Sequence, residues 1–416
     1  MKNEMIYPAI VIATYNRPHA LSRLLNSIAV ANYDGYNDIP LVISIDGGGN
    51  PKCEEIANNF AWTYGKKMII THVANLGLKQ HILSCGDLTE RFGAIIMLEE
   101  DLIVSPYFYD YTVQTSTYYQ CESKIAGVSL HSYKAMDLTG VPITPMANGN
   151  DVFFAQIPSS WGQCWTKKQW QEFKKYLMEY EHRVDMFDIL PKSVRESWPS
   201  ASSWKKYFYS YMVEKDMYFV IPYASYTTNI ADLGEHFFQE TLTFQVPLMM
   251  FKKSFVLSQF DKCMGVYDAY FELLPETIKA FGQLLDYDFE VDLAGAKSLC
   301  QIKKPYLLSI KETSNPIFSY DMSLTPVEMN VIYDVRGKYI HFAKTKDFID
   351  KRNEVSYFRI MRLYNEICYN ISKWLGYKTG YETGISLMRN KRAYRIGYFI
   401  LSPFRILKRL YNNFAK

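Results

Sequence analysis

Glu99, Glu100 and Asp101 stand in a row directly behind five apolar residues in the stretch GAIIMLEEDLIVSPYFYDY. Three adjacent carboxylates repel one another, and away from bulk water each has a raised pKa unless a cation sits among them. A divalent metal resolves that conflict, and oxygen ligands with room for phosphate suit Mg2+ or Mn2+. The competing reading is a strand that simply ends in a solvated acidic turn. Three other places bear on the choice, and each is ambiguous alone. Asn16 and Arg17, just after Thr14, bind phosphate or merely cap a helix. Asp46, followed by three glycines, hydrogen-bonds a base or ribose or merely turns the chain. Lys79, close behind Asn75, neutralises a diphosphate or is simply solvated. Together they supply base, phosphate and metal contacts for a nucleoside diphosphate.

The elements that must position these residues are legible around them. Ala94 to Leu98 shows no alternation and reads as a strand buried on both faces, as in the middle of a parallel sheet. Ala9 to Ala13 reads the same way. After it, Asn16 is placed to cap, Pro18 suits a first helical turn, and Leu21, Leu24, Leu25 and Ile28 share one helix face. IPLVISIDGGGN is a further buried strand, followed by a helix near Glu54 to Tyr64, the strand KMIITHV and the loop NLGLKQ. Strands alternating with helices imply an α/β fold with a mostly parallel central sheet. Ligands of such sheets gather at the carboxyl ends of the strands, where all the named residues fall.

The 416-residue chain has room for two or three domains, and 48% hydrophobic with 21% charged residues is ordinary for a globular protein. Seven scattered cysteines without a CxxC suggest neither a zinc site nor a disulfide framework, and fit a reducing cytoplasm. No signal-peptide layout or uninterrupted 18-residue apolar stretch is present. Between Met388 and Lys416 there are eight basic residues and no acid; subtracting them from the net charge of +3 leaves −5 for the remainder. Phe404, Leu407, Tyr411 and Phe414 oppose Arg405, Lys408 and Arg409, a basic amphipathic helix that reads as lying on an anionic membrane surface. Docking on the protein's own acidic body is the alternative, and a nucleic-acid partner is not expected.

With these residues in view, VIATYNRPHALSRLLNSI, VISIDGG, NLGLK and LEED, in that order, resemble a GT-A glycosyltransferase of the family 2 type. IIMLEEDLIVSPYFYDY is similar to N-acetylglucosaminyltransferase I and its bacterial relatives, where an acidic triplet replaces the usual DxD. SSWGQCWTKKQW resembles their Gly-Trp segment, and IPYASYTTNIADLGEHF a sugar-transferase ending. The resemblance covers roughly residues 6–240. It implies a GT-A fold, with Thr14, Asn16 and Arg17 by the nucleotide and Asp46 on the uracil or ribose. It puts Asn75 and Lys79 beside the diphosphate, Glu99 and Glu100 at the nucleotide-sugar, and Asp101 on Mn2+ or Mg2+. His236 closes over the diphosphate or acts as a second metal ligand.

An inverting transferase also needs a carboxylate to deprotonate the acceptor hydroxyl. The resemblance puts it just after a tryptophan, but here Trp204 is followed by Lys205 and Lys206. Asp185, Asp188, Glu214, Asp216 and Asp232 are near in sequence, and Asp216 is taken as the candidate base. The expected organisation is a catalytic domain over 1–240, a helical (241–285) then strand-rich (286–348) accessory region to 348, and a helical region over 349–416 ending in the basic tail. The expected protein is a cytoplasmic glycosyltransferase, peripheral to the inner face of the membrane. It would use a nucleotide-sugar, a UDP-sugar foremost, and a glycan or lipid-linked acceptor in surface polysaccharide synthesis. A degenerate sugar-binding protein and a sugar nucleotidyltransferase are the alternatives; the latter needs a glycine-rich loop that ATYNRPHAL lacks.

Overall fold

In the computed structural model, the described residues are 4–133, 143–180, 190–191, 194–195, 198–230, 245–251, 254–350 and 386. The chain divides into two compact units, Met1–Lys351 and Arg352–Lys416. The second lies outside the described residues apart from Ser386, and so does the basic tail from Met388.

The first unit begins as the hydrophobic pattern demands. Strands β1 (Ala9–Thr14), β2 (Leu41–Ile45), β3 (Lys67–Thr71) and β4 (Ala94–Glu99) alternate with helices α1 (Pro18–Ala29), α2 (Pro51–Asn59), α3 (Gly77–Gly86) and the short α4 (Thr89–Phe92). All three pairings, β1 with β2, β1 with β4 and β2 with β3, are parallel. The chain continues through β5 (Leu102–Val104), α5 (Phe108–Tyr119), β6 (Ile125–Ser129), β7 (Val152–Ala155), β8 (Gln163–Thr166), α6 (Lys167–Tyr180) and α7 (Lys205–Glu214). It returns in β9 (Tyr218–Pro222), β10 (Thr227–Asn229) and β11 (Val266–Tyr267). Among the described residues nine strands form one mixed sheet, in the order β11-β7-β9-β6-β8-β4-β1-β2-β3. Five of its eight pairings are parallel; β8 runs antiparallel to β4 and β6, and β7 to β9.

The unbroken apolar runs of β1 and β4 follow from two cores. Val11, Ala13, Ile95 and Met97 face one, with Trp165, Trp170, Phe173 and Phe208. Ile10, Ile12, Ile96 and Leu98 face the other, with Leu21, Leu24, Leu25 and Ile28 of α1. Both faces of each strand are therefore dry, which is the physical meaning of a run without alternation. The mixed α/β architecture with a mostly parallel sheet and flanking helices is as expected.

The accessory region differs from its expected form. Among the described residues of 245–285 the helical elements are a short helix, Pro275–Ala280, and one 3-10 turn, Phe260–Lys262, where a helical stretch was expected. The apolar residues there cover existing surfaces: Phe255 packs edge-on against Tyr111, and Phe260 against Phe154. They form a strap, so their spacing answers to the surface beneath and not to a helical period. No boundary falls at residue 240, because β11 pairs with β7 and completes the main sheet. Beyond it, β12 (Phe289–Asp292), β13 (Tyr306–Ser309), β14 (Phe318–Tyr320) and β15 (Ile340–Lys344) form a second sheet, ordered β12-β13-β15-β14, where short strands were expected.

An ionic cluster ties the two sheets together. Buried Lys297 pairs with Asp268, just after β11, at 2.6 Å and with Glu290 of β12 at 2.9 Å. The Glu272 carboxylate accepts from the Leu293 and Ala294 backbone at 2.9 and 2.7 Å. Removing one member of a buried ion cluster strands the rest without compensation, at a cost of roughly 3–5 kcal/mol. Lys297→Met is expected to lower stability by about that amount, measured as the shift in the urea-unfolding free energy. An unchanged midpoint would show that the cluster does not join the sheets.

Candidate functional site

Strand order reverses between β1, whose chain moves outward to β2 and β3, and β4, whose chain moves the other way. Crevices at the carboxyl ends of strands flanking such a switch are where open α/β sheets bind ligands. Thr14 ends β1 and Glu99 ends β4, and Ala13 pairs directly with Glu99. The acidic triplet and the Asn16-Arg17 turn therefore meet at one point of the sheet edge.

The contact is an ion cluster. Arg17 donates from Nε to Glu100 Oε1 at 2.8 Å and from Nη1 to Asp101 Oδ2 at 3.0 Å. Both carboxylates are buried, at 7% exposure each. Burial opposes the guanidinium charge, but Glu100 and Asp101 outweigh it and raise the Arg17 pKa. Burial raises the Glu100 pKa, Arg17 works against that, and Asp101 adds to it. Glu99 is pushed up to about 8, by burial first and then by its two acidic neighbours, with Arg17 and Lys205 pulling the other way. One oxygen is left over: Asp101 Oδ1 is buried and has no hydrogen-bond partner.

That oxygen is the test of the implied metal. Among the described residues no group of three or more His, Cys, Asp or Glu side chains could hold an ion unaided. Mg2+ and Mn2+ do not require one, since Mg2+ is commonly held by one or two carboxylates, substrate phosphates and water. A single anionic oxygen, desolvated and without a donor, fits that requirement. Arg17 fixes the other oxygen of the same carboxylate and so aims this one.

The remaining expected residues distribute unevenly. Thr14 is buried, its hydroxyl 3.9 Å from Cys53 Sγ. Asn16 is exposed, and Arg17, not Asn16, occupies the N-cap of α1. Asp46 serves the backbone: Oδ1 accepts from Gly47 and Leu76 at 2.8 Å each, and Oδ2 from Gly77 at 3.1 Å. The carboxylate thus pins the loop after β3 to the end of β2. Its glycines have the same purpose, since a Cβ on Gly49 would lie 2.0 Å from the Tyr15 carbonyl oxygen and one on Gly47 2.4 Å from Ala74. Asn75 is exposed, its Oδ1 accepting from Gly77 N at 2.8 Å. Lys79, on α3, places its ammonium 4.6 Å from the Tyr207 ring centroid of α7.

Asp216 is not at the site. β9 runs parallel to β6, so Asp216, just before β9, lies at the amino edge of the sheet, roughly 17 Å of strand away from the carboxyl edge. There its carboxylate pairs with Lys124 and accepts from Tyr218 Oη at 2.9 Å. It is dropped as the base. His236, with Asp185, Asp188 and Asp232, lies outside the described residues. Ile230 N donates to the Asp101 carbonyl at 3.1 Å.

On the other side of β4 the edge carries residues that sequence reading did not assign. Trp161 precedes β8 and follows the register that sets Met97 opposite Gln163. His131 and Tyr133 follow β6, with the His131 ring 4.8 Å from Trp161 and 5.3 Å from Tyr133. Burial drives the His131 pKa down to about 3, so the ring is neutral. Gly162 makes this wall possible: its φ is +93°, and a Cβ there would meet Thr227 Cγ2 at 2.7 Å. Lys205, at the start of α7, faces the wall. The signal was present as the oddity of Lys205 and Lys206 where a carboxylate was expected.

The chain matches no protein-family model and no curated protein. Solved structures similar to part of it include S. aureus TarS, 12% identical over 53% of this chain and 36% of TarS, with a TM-score of 0.35. A 1-349 form of TarS in complex with UDP is 12% identical over 53% of this chain and 60% of that one, at a TM-score of 0.34. The mannosyltransferase PcManGT from Pyrobaculum calidifontis, in complex with GDP-Man and Mn2+, is 9% identical over 43% and 54%, at 0.30. This chain thus spans 36% to 60% of the length of these structures.

The Glu99 proton is held more tightly in the fold, with a pKa of about 8, than the ordinary value of 4.5 in the unfolded chain. Its contribution to stability is therefore full below the ordinary value and is lost as pH rises through about 8. In chelator, Glu99→Gln is expected to gain stability over the parent progressively from pH 5 to pH 8. Denaturant melts across that range check it, and parallel curves for the two proteins would refute the assignment.

Proposed function

We propose that the protein is a glycosyltransferase, moving a sugar from a nucleotide-sugar, foremost a UDP-sugar, to a glycan or lipid-linked acceptor with Mn2+ or Mg2+. One observation carries the reading: at the β1/β4 switch point, Arg17 braces two buried carboxylates and leaves the Asp101 Oδ1 atom open. The loop ends after β1, β2 and β3 support it, because Asp46 ties the last two together at the same carboxyl edge as the acids.

In that reaction the bond from the anomeric carbon to the distal phosphate oxygen breaks, and its electron pair leaves with the nucleoside diphosphate. An acceptor hydroxyl forms the new bond and gives up its proton. The divalent cation, when bound, neutralises charge that develops on the departing diphosphate. The chain's own part is positional. Arg17 holds the Asp101 carboxylate in one orientation, and Glu100 completes the brace. Asp46 fixes the loop that carries Asn75 and leads into α3, on whose first turn Lys79 stands. Thr14 closes the floor. The proton acceptor is not Asp216.

A second reading, a sugar-nucleotide-binding protein without turnover, is favoured by Lys205 and Lys206 standing where a base is expected. Donor hydrolysis separates the two. Slow release of nucleoside diphosphate from one member of a UDP-sugar panel is expected with Mn2+, and none with EDTA. Asp101→Asn is expected to lower that release at least a hundredfold, in line with losing an electrostatic contact to a developing charge. Donor-dependent thermal stabilisation without hydrolysis would favour the binding protein, and neither signal would remove both readings.

Among the described residues no helix is long and apolar enough to cross a membrane. The basic tail supports a peripheral association in surface polysaccharide synthesis. Removal of residues 388–416 is expected to abolish sedimentation with vesicles containing anionic lipid while leaving donor hydrolysis intact. Unchanged sedimentation would exclude the tail as the anchor.

A further inference from the structure

The second sheet ends at a cavity that the carboxyl-edge site does not use. Strands β12 and β13 are parallel, and β15 runs antiparallel to both β13 and β14. The starts of β12, β13 and β14 and the end of β15 therefore share one end of the sheet. A cavity of about 710 Å3 opens there. Its walls are apolar: Leu299, Ile302 and Phe348, with Tyr306 stacked on Phe342 at 5.6 Å between ring centroids. Its charged lining is three lysines, Lys304, Lys344 and Lys346, and no carboxylate. Lys304 pairs with Asp288 at 2.9 Å, both side chains being exposed. Lys344 and Lys346 are exposed and carry no ion pair among the described residues. Asp286 and Asp347 are near these strand ends in sequence, and neither lines the cavity.

The turns that carry the lysines are fixed to each other. Thr345, between Lys344 and Lys346, donates from N to the Pro305 carbonyl at 3.0 Å and from Oγ1 to the Lys304 carbonyl at 2.6 Å. Asp350 ties the chain after Phe348 to the Leu299 wall, accepting from Ser298 Oγ at 3.2 Å and Leu299 N at 3.3 Å. Three exposed aliphatic side chains flank the same strand ends: Leu285 ahead of β12, Ile317 directly before β14 and Ile349 directly after Phe348.

We propose that this end of the second sheet is a membrane contact, its cavity receiving the phosphate headgroup of an anionic phospholipid. The inference extends the peripheral association read from the basic tail and stands on different residues. Lysines beside an anionic bilayer are drawn to its surface charge. Aliphatic side chains next to them bury at the boundary between headgroups and acyl chains. A soluble anion would use the ammonium groups and leave Leu285, Ile317 and Ile349 without a role. A bilayer takes up both kinds of group. The cavity has the volume of a small-molecule site, and its apolar walls suit the glycerol and first methylenes behind a phosphate. The Lys304–Asp288 pair does not prevent this, because exposed ion pairs are weak and a phosphate competes for the same ammonium. Two weak contacts on one chain reinforce each other, so the cavity and the tail each make a large difference to partition.

The test uses the full chain with phosphatidylcholine vesicles that contain or lack phosphatidylglycerol. Cys300 lines the cavity and is exposed, and Cys121, exposed beyond α5, is the internal reference. On vesicles with phosphatidylglycerol, maleimide labelling of Cys300 is expected to slow about threefold, since a covered thiol loses access to reagent. Cys121 labelling, read in the same sample by peptide mass spectrometry, is expected to stay unchanged. This arm needs no variant, so a folding failure cannot remove it. In the second arm, Lys304→Gln, Lys344→Gln and Lys346→Gln together are expected to lower partition to these vesicles about tenfold. A control with Lys52→Gln, Lys168→Gln and Lys175→Gln, which changes net charge equally, is expected to partition like the parent. Unchanged Cys300 labelling on bound protein, a cavity variant that partitions like the parent, or an equal fall in the control overturns the proposal. Equal protection of Cys300 by inorganic phosphate alone assigns the cavity to a soluble anion and overturns the membrane contact. If the parent binds the vesicles and Cys300 is not protected, the cavity fails alone; if the parent does not bind them, the tail reading fails with it.

Discussion

Two carboxylates side by side at the end of a strand buried on both faces are unstable in isolation, and the Arg17 guanidinium is what makes them tolerable. The constraint is electrostatic, but its consequences are geometric. A guanidinium is planar and donates in fixed directions, so one that reaches both Glu100 and Asp101 sets the orientation of each. It has to come from the adjacent strand's end, which is why β1 must neighbour β4. It also has to stand at the helix entry, where Pro18 fixes the first turn of α1 immediately after it. The strand order, the turn and the acids are thus parts of one arrangement. What the arrangement leaves is a single desolvated oxygen, aimed and without a donor.

A similar economy holds the rest of the crevice. Asp46 spends both of its oxygens on backbone N–H groups, joining the ends of β2 and β3 through three hydrogen bonds. The glycines after it let the chain pass within contact of Tyr15 and Ala74, where any side chain would collide. The loops at the edge of the sheet are tied to one another before any ligand arrives. Preorganisation of this kind reduces the ordering cost of binding, which is otherwise charged against affinity.

Sequence alone made the sheet edge legible and its internal wiring illegible. The runs Ala9–Ala13 and Ala94–Leu98 could be recognised as doubly buried strands because burial on both faces removes alternation. The Leu21, Leu24, Leu25, Ile28 stripe identified α1 for the complementary reason. Arg17 reads as a nucleotide or phosphate contact, since its ion pair spans more than eighty residues of chain and no local pattern encodes it. Asp46 reads as a ligand contact because the N–H groups it accepts from belong to a loop thirty residues on. Asp216 follows Trp204 closely in sequence, yet a helix and a strand start put it at the opposite edge of the sheet. The strap over 254–262 misled for a different reason: apolar residues that drape a finished surface take their spacing from that surface.

The distribution of charge across the carboxyl edge follows from these placements. Over β1 and β4 the edge is acidic and internally braced; past β4, toward β8, β6 and α7, it is aromatic with ammonium groups. Arg17 engages the acids from the β1 side, and the Lys205 and Lys79 ammoniums lie against aromatic rings. The Lys205 ammonium lies 5.8 to 6.0 Å from the Tyr133, Trp161 and Tyr209 ring centroids. The edge therefore has two chemically distinct halves that meet at the end of β4, where Glu99 stands.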